Sequence, residues 1–417
     1  MISVEKFIPL LHELLLDPLY LQSWGFRPAA STNVDDFVKI LNPYDSSYQS
    51  AVFGKINGMC IYWHEEPLNL TDLTCLQYRD IYSPNFNIHG TGYPFAPSNP
   101  GDTGMTMEIF DVNFHIFANS EISTLKKEFL KQWRVLNWYF FFHGFAALDW
   151  FRDYKNLKFS NIQISKVFIC LNHLVSNNRS YRLSLLSRLR EHQLFDKGFI
   201  SAPLLTDSLI KKEVGDKDSR LTKDTKLHIL KNLLPNVKPM ILDKVEYNSA
   251  SADIVHPNYN YGALWHVVTE TIYYDEKLHL TEKIFKPIVS RRPFILVGGL
   301  GNLNYLKNYG FQTFDRWIDE SYDLESDPDR RMNMIVKELD RLCNLPWNEL
   351  MGMYADMQEV LEFNHQHFYG KFKEILVNEL VDNFEVCTKQ YNLGQSNRYK
   401  LPTEQVNFAK VKELLLQ

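Results

Sequence analysis

Glycine is scarce in this chain, 18 of 417 residues, and cysteine is scarcer. The five cysteines, Cys60, Cys75, Cys170, Cys343 and Cys387, are odd in number and form no CxxC pair. That excludes a disulfide framework and a cysteine-rich zinc site, and points to a reducing, cytoplasmic compartment. Low glycine excludes a collagen-like or linker-like chain. No apolar run approaches the roughly 20 residues of a membrane helix. The longest, WYFFFHGFAALDWF at 138–151, contains His143 and Asp149 and reads as a buried strand followed by a turn. The opening MISVEKFIPLLHELLLDPLYL has neither the basic start nor the unbroken apolar stretch of a secretory leader. There is no HExxH, and no GxxxxGK[ST] phosphate loop, which argues against ATP hydrolysis. DKD at 216–218 sits among other charges, and the histidines of HQH at 365–367 would diverge on a helix, so no metal site is expected.

What the chain does have is aromatic bulk: 28 Phe, 22 Tyr and 8 Trp. With 45% hydrophobic and 23% charged residues it is globular, and about 150 residues per domain suggests two or three domains. The formal charge of -5 is unevenly spread. Residues 1–160 carry 12 basic and 17 acidic side chains, whereas 166–244 carry 15 basic and 8 acidic. An anionic ligand is therefore expected on the later part of the chain, although KKEVGDKDSRLTKDTK (211–226) also reads as a plain solvated loop.

Residues 2–24 have the apolar spacing of an amphipathic helix, and 51–67 read as strand, Asn-Gly turn and strand. The stretch 82–105 is rich in turn residues, and FDVNFHIFA (110–118) reads as a strand. From KVFICLN (166–172) onward, apolar strands alternate with helices to about 325, predicting a parallel, doubly wound sheet. ALWHVVTET, RPFILVG and FQTF are strand candidates, and TEKIFKPIVS and NLNYLKNYG helical ones. After Asp327 the pattern is helical. The resulting division is 1–160, 161–330 and 331–417.

The most informative passage is 261–323, YGALWHVVTETIYYDEKLHLTEKIFKPIVSRRPFILVGGLGNLNYLKNYGFQTFDRWIDESYD. ALWHVVTE delivers Glu270 at a strand end, and Thr281 is placed to cap the helix that follows. A helix N-terminus attracts anions, and Lys283 adds a full positive charge there. Glu282 has the chemistry to accept two hydrogen bonds from a ribose diol. A glycine turn at Gly298, Gly299 and Gly301 follows the next strand. The plainer alternative is that Glu282 and Lys283 merely decorate a helix start.

The run LTEKIFKPI…RPFILVG resembles the donor-binding signature of fucosyltransferase-type glycosyltransferases, in which Thr-Glu-Lys opens the helix beside the sugar nucleotide. Its continuation, NYGFQTFDRWIDESYD, resembles glycosyltransferase-like proteins encoded by bacteriophages. The resemblance implies a GT-B fold: two Rossmann-like lobes with parallel sheets facing a cleft, and C-terminal helices crossing back. It implies that 1–160 binds the acceptor and 161–330 the donor, with Glu270 and Glu282 at the nucleoside and Lys283 at the diphosphate. FICLNHLVSNNRSYRLSLLSRL resembles the opening of the same lobe. Arg179 and Arg182, three apart on one helix face, would then hold diphosphate oxygens and neutralise the departing nucleotide.

In the first half, IYWHEEPLN (61–69) resembles the strand-end Glu-Pro segment of fucosyltransferases. A carboxylate beside Trp63 and before Pro67 would be raised in pKa by desolvation, which suits a general base. Glu65 is the first candidate, with His64 and Glu66 as neighbours and His143 and Asp149 as rivals. The expected activity is an inverting transfer from a UDP- or GDP-linked sugar to an acceptor hydroxyl, with no obligatory metal. The phage resemblance and the basic 166–244 stretch favour 5-hydroxymethylcytosine in double-stranded DNA as acceptor, in the cytoplasm of an infected bacterium. The 82–105 aromatics would support a flipped base. The net charge counts against DNA and keeps a surface glycan open, alongside a catalytically idle sugar-nucleotide or nucleic-acid binding module.

Overall fold

The computed structural model describes residues 21–24, 59–64, 114–119, 135–141, 143–144, 147–148, 151, 162–217, 219–243, 255–274, 278–393 and 407–416. The chain divides into two compact units, one of Met1–Trp150 with Lys373–Gln417 and one of Phe151–Phe372.

In the first unit, strands β1 (Leu21–Trp24), β2 (Met59–His64), β3 (Phe114–Asn119) and β4 (Val135–Tyr139) form a parallel sheet in sequential order. One expectation changes here. Leu21–Trp24 belongs to a strand, because its backbone pairs in register with Ile61–His64, and so the helix expected over 2–24 does not extend through it. β2, bordered by β1 and β3 in parallel, is the second strand read over 51–67, and 51–58 lie outside the described residues.

The second unit is an α/β assembly around a parallel sheet. Its strands are β5 (Lys166–Leu171), β6 (Gly198–Ser201), β7 (Ala263–Thr269) and β8 (Phe294–Val297), in the order β6-β5-β7-β8. The connecting helices are α1 (Tyr181–Glu191) after β5, and α2 (Asp207–Gly215) and α3 (Lys223–Asn232) between β6 and β7. They continue with α4 (Glu282–Val289) between β7 and β8, and α5 (Asn302–Asn308) after β8. Helices α6 (Pro328–Asn344), α7 (Trp347–Asp356) and α8 (Gln358–Tyr369) complete the unit, and α9 (Lys371–Leu393) starts at its boundary.

Composition explains the layering. All seven residues of β7 and all four of β8 are buried, as expected for strands covered on both faces, whereas edge strand β6 is only partly covered. His266, in the middle of β7, is kept neutral: burial pushes it down to about 3, and Nε2 lies 3.0 Å from the Asn260 carbonyl. Trp265 meets Phe314 edge-on, with centroids 5.6 Å apart. Beneath α4, Phe285, Phe311, Phe368 and Phe372 pack as one aromatic group. This is where the chain's aromatic excess goes.

Three further expectations change. FQTF (311–314) is irregular, although Phe311 and Phe314 are buried. The stretch 211–226 is largely helical, with α2 and α3 capped by Thr206 and Thr222, and of the residues between them 216–217 and 219–222 are irregular. The division expected at 330 falls inside the second unit, because α6 packs against α1 and β8. Lys373–Gln417 groups with the first unit: Asn383 Nδ2 donates to the Tyr139 carbonyl (2.8 Å), and Glu379 Oε2 accepts from the Phe141 amide (2.9 Å). No helix among the described residues is long and apolar enough to cross a membrane.

Trp265 is fully buried, and its Nε1 has no hydrogen-bond partner. Trp265→Ala should cost about 3–5 kcal/mol through the cavity it leaves. Trp265→Phe should cost less than about 1.5 kcal/mol, since it keeps most of the bulk and removes the orphan N–H. Urea unfolding followed by far-UV circular dichroism measures both.

Candidate functional site

In the order β6-β5-β7-β8, the chain leaves β5 for one side of the sheet and reaches β7 on the other. The crevice beyond the carboxyl ends of β5 and β7 is therefore the topological switch point, where open α/β sheets place ligands. Thr269 Oγ1 ties the two strand ends together by donating to the Leu171 carbonyl (3.0 Å). Asn172, one residue beyond β5, is fully buried; its Nδ2 reaches Cys170 Sγ (3.2 Å), and its Oδ1 has no partner.

Arg182 occupies the first turn of α1 and is 3% exposed. Its Nη1 donates to the Leu174 carbonyl (2.8 Å), and its Nη2 to the Thr269 (2.8 Å) and Glu270 (3.1 Å) carbonyls. Nε donates to Tyr181 Oη (3.3 Å), and that hydroxyl donates in turn to the Glu270 carbonyl. Among the described residues Arg182 has no carboxylate within ion-pair distance, so its charge is held by dipoles alone.

Arg179 lies just outside α1, the helix that carries Arg182. It ends a short 3-10 turn, Asn177–Arg179, whose first amide donates to the buried Glu213 carboxylate (2.9 Å), and α1 begins only at Tyr181. Asn177, which opens that turn ahead of both arginines, adopts a left-handed φ of 54°.

Glu270, expected at the nucleoside, lies just past β7 and is fully buried. Its carboxylate accepts from the Thr281 amide (3.2 Å) and hydroxyl (2.5 Å), closing the 271–281 loop onto the strand end. Burial raises its pKa, with Lys283 and the Thr281 contacts opposing the rise. Thr281 also caps α4, its Oγ1 accepting from the Lys283 amide (3.4 Å). Lys283 Nζ lies 3.1 Å from Thr281 Oγ1, 3.5 Å from Thr271 Oγ1 and 3.0 Å from Glu282 Oε1. Lys283 is the more exposed partner of that ion pair, at 30% for its side chain against 9% for Glu282. Arg182, Glu270, Thr281, Glu282 and Lys283 thus meet around one strand end.

The neighbouring helix start is already filled. Asp323 accepts from the Leu303 (2.9 Å) and Asn304 (3.1 Å) amides, so an internal carboxylate occupies the N-terminus of α5. Gly301 precedes it at φ 76°, a conformation that favours glycine.

Three tyrosines were not legible as site residues. Tyr181 and Tyr273 stack at 4.4 Å and 16°, and Tyr274 meets both edge-on. Arg331 from α6 lies over Tyr273 (4.5 Å) and donates to the Tyr273 (2.5 Å) and Glu325 (2.7 Å) carbonyls. The available signals were the doublet Tyr273–Tyr274 after the strand and Tyr181 next to Arg182. Of the base candidates, His143 is 5% exposed, His64 ends β2, and Glu65, Glu66 and Asp149 lie outside the described residues.

A carboxyl whose folded pKa is raised adds stability while protonated and loses it as pH climbs through that raised value. Glu270→Gln lacks this loss, so its stability should gain on wild type as pH rises from about 5 to about 8. Urea midpoints across that range check the sign. No protein-family model, curated protein or solved structure matches the chain.

Proposed function

We propose that Phe151–Phe372 binds a nucleotide-diphosphate sugar, UDP- or GDP-linked, at the carboxyl ends of β5 and β7, and that the protein is an inverting GT-B glycosyltransferase. One observation carries this reading. A buried guanidinium without a carboxylate partner, Arg182, shares a switch point with the half-exposed ammonium of Lys283 at a helix N-terminus. Two cations and a helix dipole converging there favour a multiply charged anion, and a diphosphate has that chemistry.

The roles differ in kind. Lys283 is the group for direct phosphate contact, its longest present bond, to Thr271 at 3.5 Å, being the one to yield. Arg182 acts through its field and through the carbonyls it fixes. Glu270 is the brace that holds Thr281, and through it Lys283, in place. In the reaction a base from the first unit, with Glu65 as first choice and Glu66 and His143 behind it, takes the acceptor hydroxyl proton. The oxygen attacks the anomeric carbon from the face opposite the nucleotide. The bond from that carbon to the phosphate oxygen breaks, and its electron pair leaves with the diphosphate.

For the acceptor we favour 5-hydroxymethylcytosine in phage DNA, supported by the basic stretch 166–244 and by the resemblance to phage-encoded proteins. The overall charge of -5 favours the second reading, a fucosyltransferase-like enzyme acting on a surface glycan. Hydroxymethylated and unmodified DNA, incubated with a panel of UDP- and GDP-sugars and digested to nucleosides, decides between them. A hexose or pentose mass added only to hydroxymethylcytosine is expected, and its absence with every donor rejects the DNA acceptor. Lys283→Ala should weaken nucleotide-diphosphate binding about 10- to 100-fold, the value of a charge-assisted contact. Unchanged affinity in titration calorimetry would remove the proposed seat.

A further inference from the structure

The phosphate seat leaves Tyr274 unexplained. The ring is half-buried, in the same loop as Thr271, and no more than about 10 Å of chain separates the two residues. Its centroid is 5.5 Å from Tyr273 and 6.3 Å from Tyr181, with interplanar angles of 83° and 85°. Those two rings are themselves stacked at 4.4 Å, so a ring nearly equidistant from both stands alongside the pair rather than on its outer face. The hydroxyl is tethered 3.3 Å from Ser180 Oγ, just before α1. Tyr274 is thereby fixed at the switch point in both position and tilt.

On the solvent side Arg220 covers it. The guanidinium carbon lies 5.9 Å from the Tyr274 centroid, against 3.8 Å for the closed pair Arg190–Phe195. Flat groups stack at about 3.5 Å, so admitting a ring between guanidinium and tyrosine needs about 7 Å, roughly 1 Å more than the present gap. Arg220 is exposed and belongs to the loop that leads into α3, so a bound ring would require its side chain to shift outward by about that much. The end of that loop is pinned, since Thr222 Oγ1 and Thr225 Oγ1 donate to Asp329 (2.6 and 2.7 Å). The slot therefore has a fixed floor, and its roof is an exposed side chain.

We propose that Tyr274 and Arg220 form the nucleobase subsite, the base stacking on the tyrosine with the guanidinium closing over its other face. This rests on the nucleotide reading of the phosphate seat and assigns that ligand's heteroaromatic end. An aromatic floor with a cationic roof is sequence-tolerant chemistry that serves any flat, polarisable ring.

Titration calorimetry of the full chain with UDP, GDP and inorganic pyrophosphate tests it. Tyr274→Ala should weaken nucleotide binding about 10- to 100-fold, and Arg220→Ala about 3- to 10-fold, while pyrophosphate affinity stays at wild-type level. Tyr274→Phe, which keeps the π face and loses only the Ser180 tether, should lose much less than the alanine variant. Tyr274→Leu, which keeps apolar bulk without a π face, should resemble the alanine variant, and matched melting curves guard against simple misfolding. Nucleotide binding that is indifferent to Tyr274→Ala, or a loss that extends equally to pyrophosphate, overturns the base subsite alone. A wild-type chain that binds pyrophosphate but neither nucleotide also overturns it, leaving the phosphate seat standing. A wild-type chain that binds none of the three overturns both readings.

Discussion

A single guanidinium organises the second unit's functional edge. Arg182 draws together the Leu174, Thr269 and Glu270 carbonyls from the ends of two adjacent strands. Burying a cation costs several kcal/mol even after relaxation, and hydrogen bonds from a charged donor return roughly 1.5–3 kcal/mol each. Three such bonds offset the desolvation, so the residue is tolerated without a counter-charge. The same balance leaves its field uncancelled where the sheet opens. Because the strand-end peptides are fixed by this interaction, everything that hangs from them, the 271–281 loop included, inherits its geometry.

From there the site is a relay of short contacts. Glu270 holds Thr281, Thr281 caps α4, and Lys283 returns to the hydroxyls of Thr281 and Thr271. Burial raises the pKa of the Glu270 carboxyl, while Lys283 and the two Thr281 contacts oppose the rise. Glu282 pairs with the Lys283 ammonium at 3.0 Å, so an incoming phosphate competes with that carboxylate for it. The neighbouring helix start at α5 shows the contrast: Asp323 already satisfies its amides, so only one of the two candidate anion sites after the strands remains in play.

Much of this was readable from residue order. Continuous apolar runs marked β5, β7 and β8, because a strand buried on both faces leaves no room for polar alternation. Thr-Glu-Lys marked the start of α4, since capping chemistry is local. What escaped was set by long-range contact. Glu270 looked like a ligand group, yet its partner Thr281 is eleven residues away and turns it into a brace. Arg179 and Arg182 looked helical, yet the left-handed Asn177 and the carboxylate of Glu213 impose a separate turn first. FQTF has the composition of a strand, but Phe311 and Phe314 are used as aromatic packing instead. Leu21–Trp24 follows the leucine spacing of a helix, and only its pairing with β2 makes it a strand.

The tyrosines extend this point to function. Arg182 ties α1 to the end of β7 beside the Tyr181–Tyr273 stack, and Arg331 lies over the Tyr273 ring. Cations on aromatic faces add about 0.5–2 kcal/mol each, most when desolvated, and both arginines here are nearly fully buried. The stack is therefore rigid, and a third ring set across its rim is presented rather than flexible. Rigid aromatic surface beside an uncancelled positive field is the physical combination that a nucleotide's two ends require. Each half is produced by the same pair of strand ends.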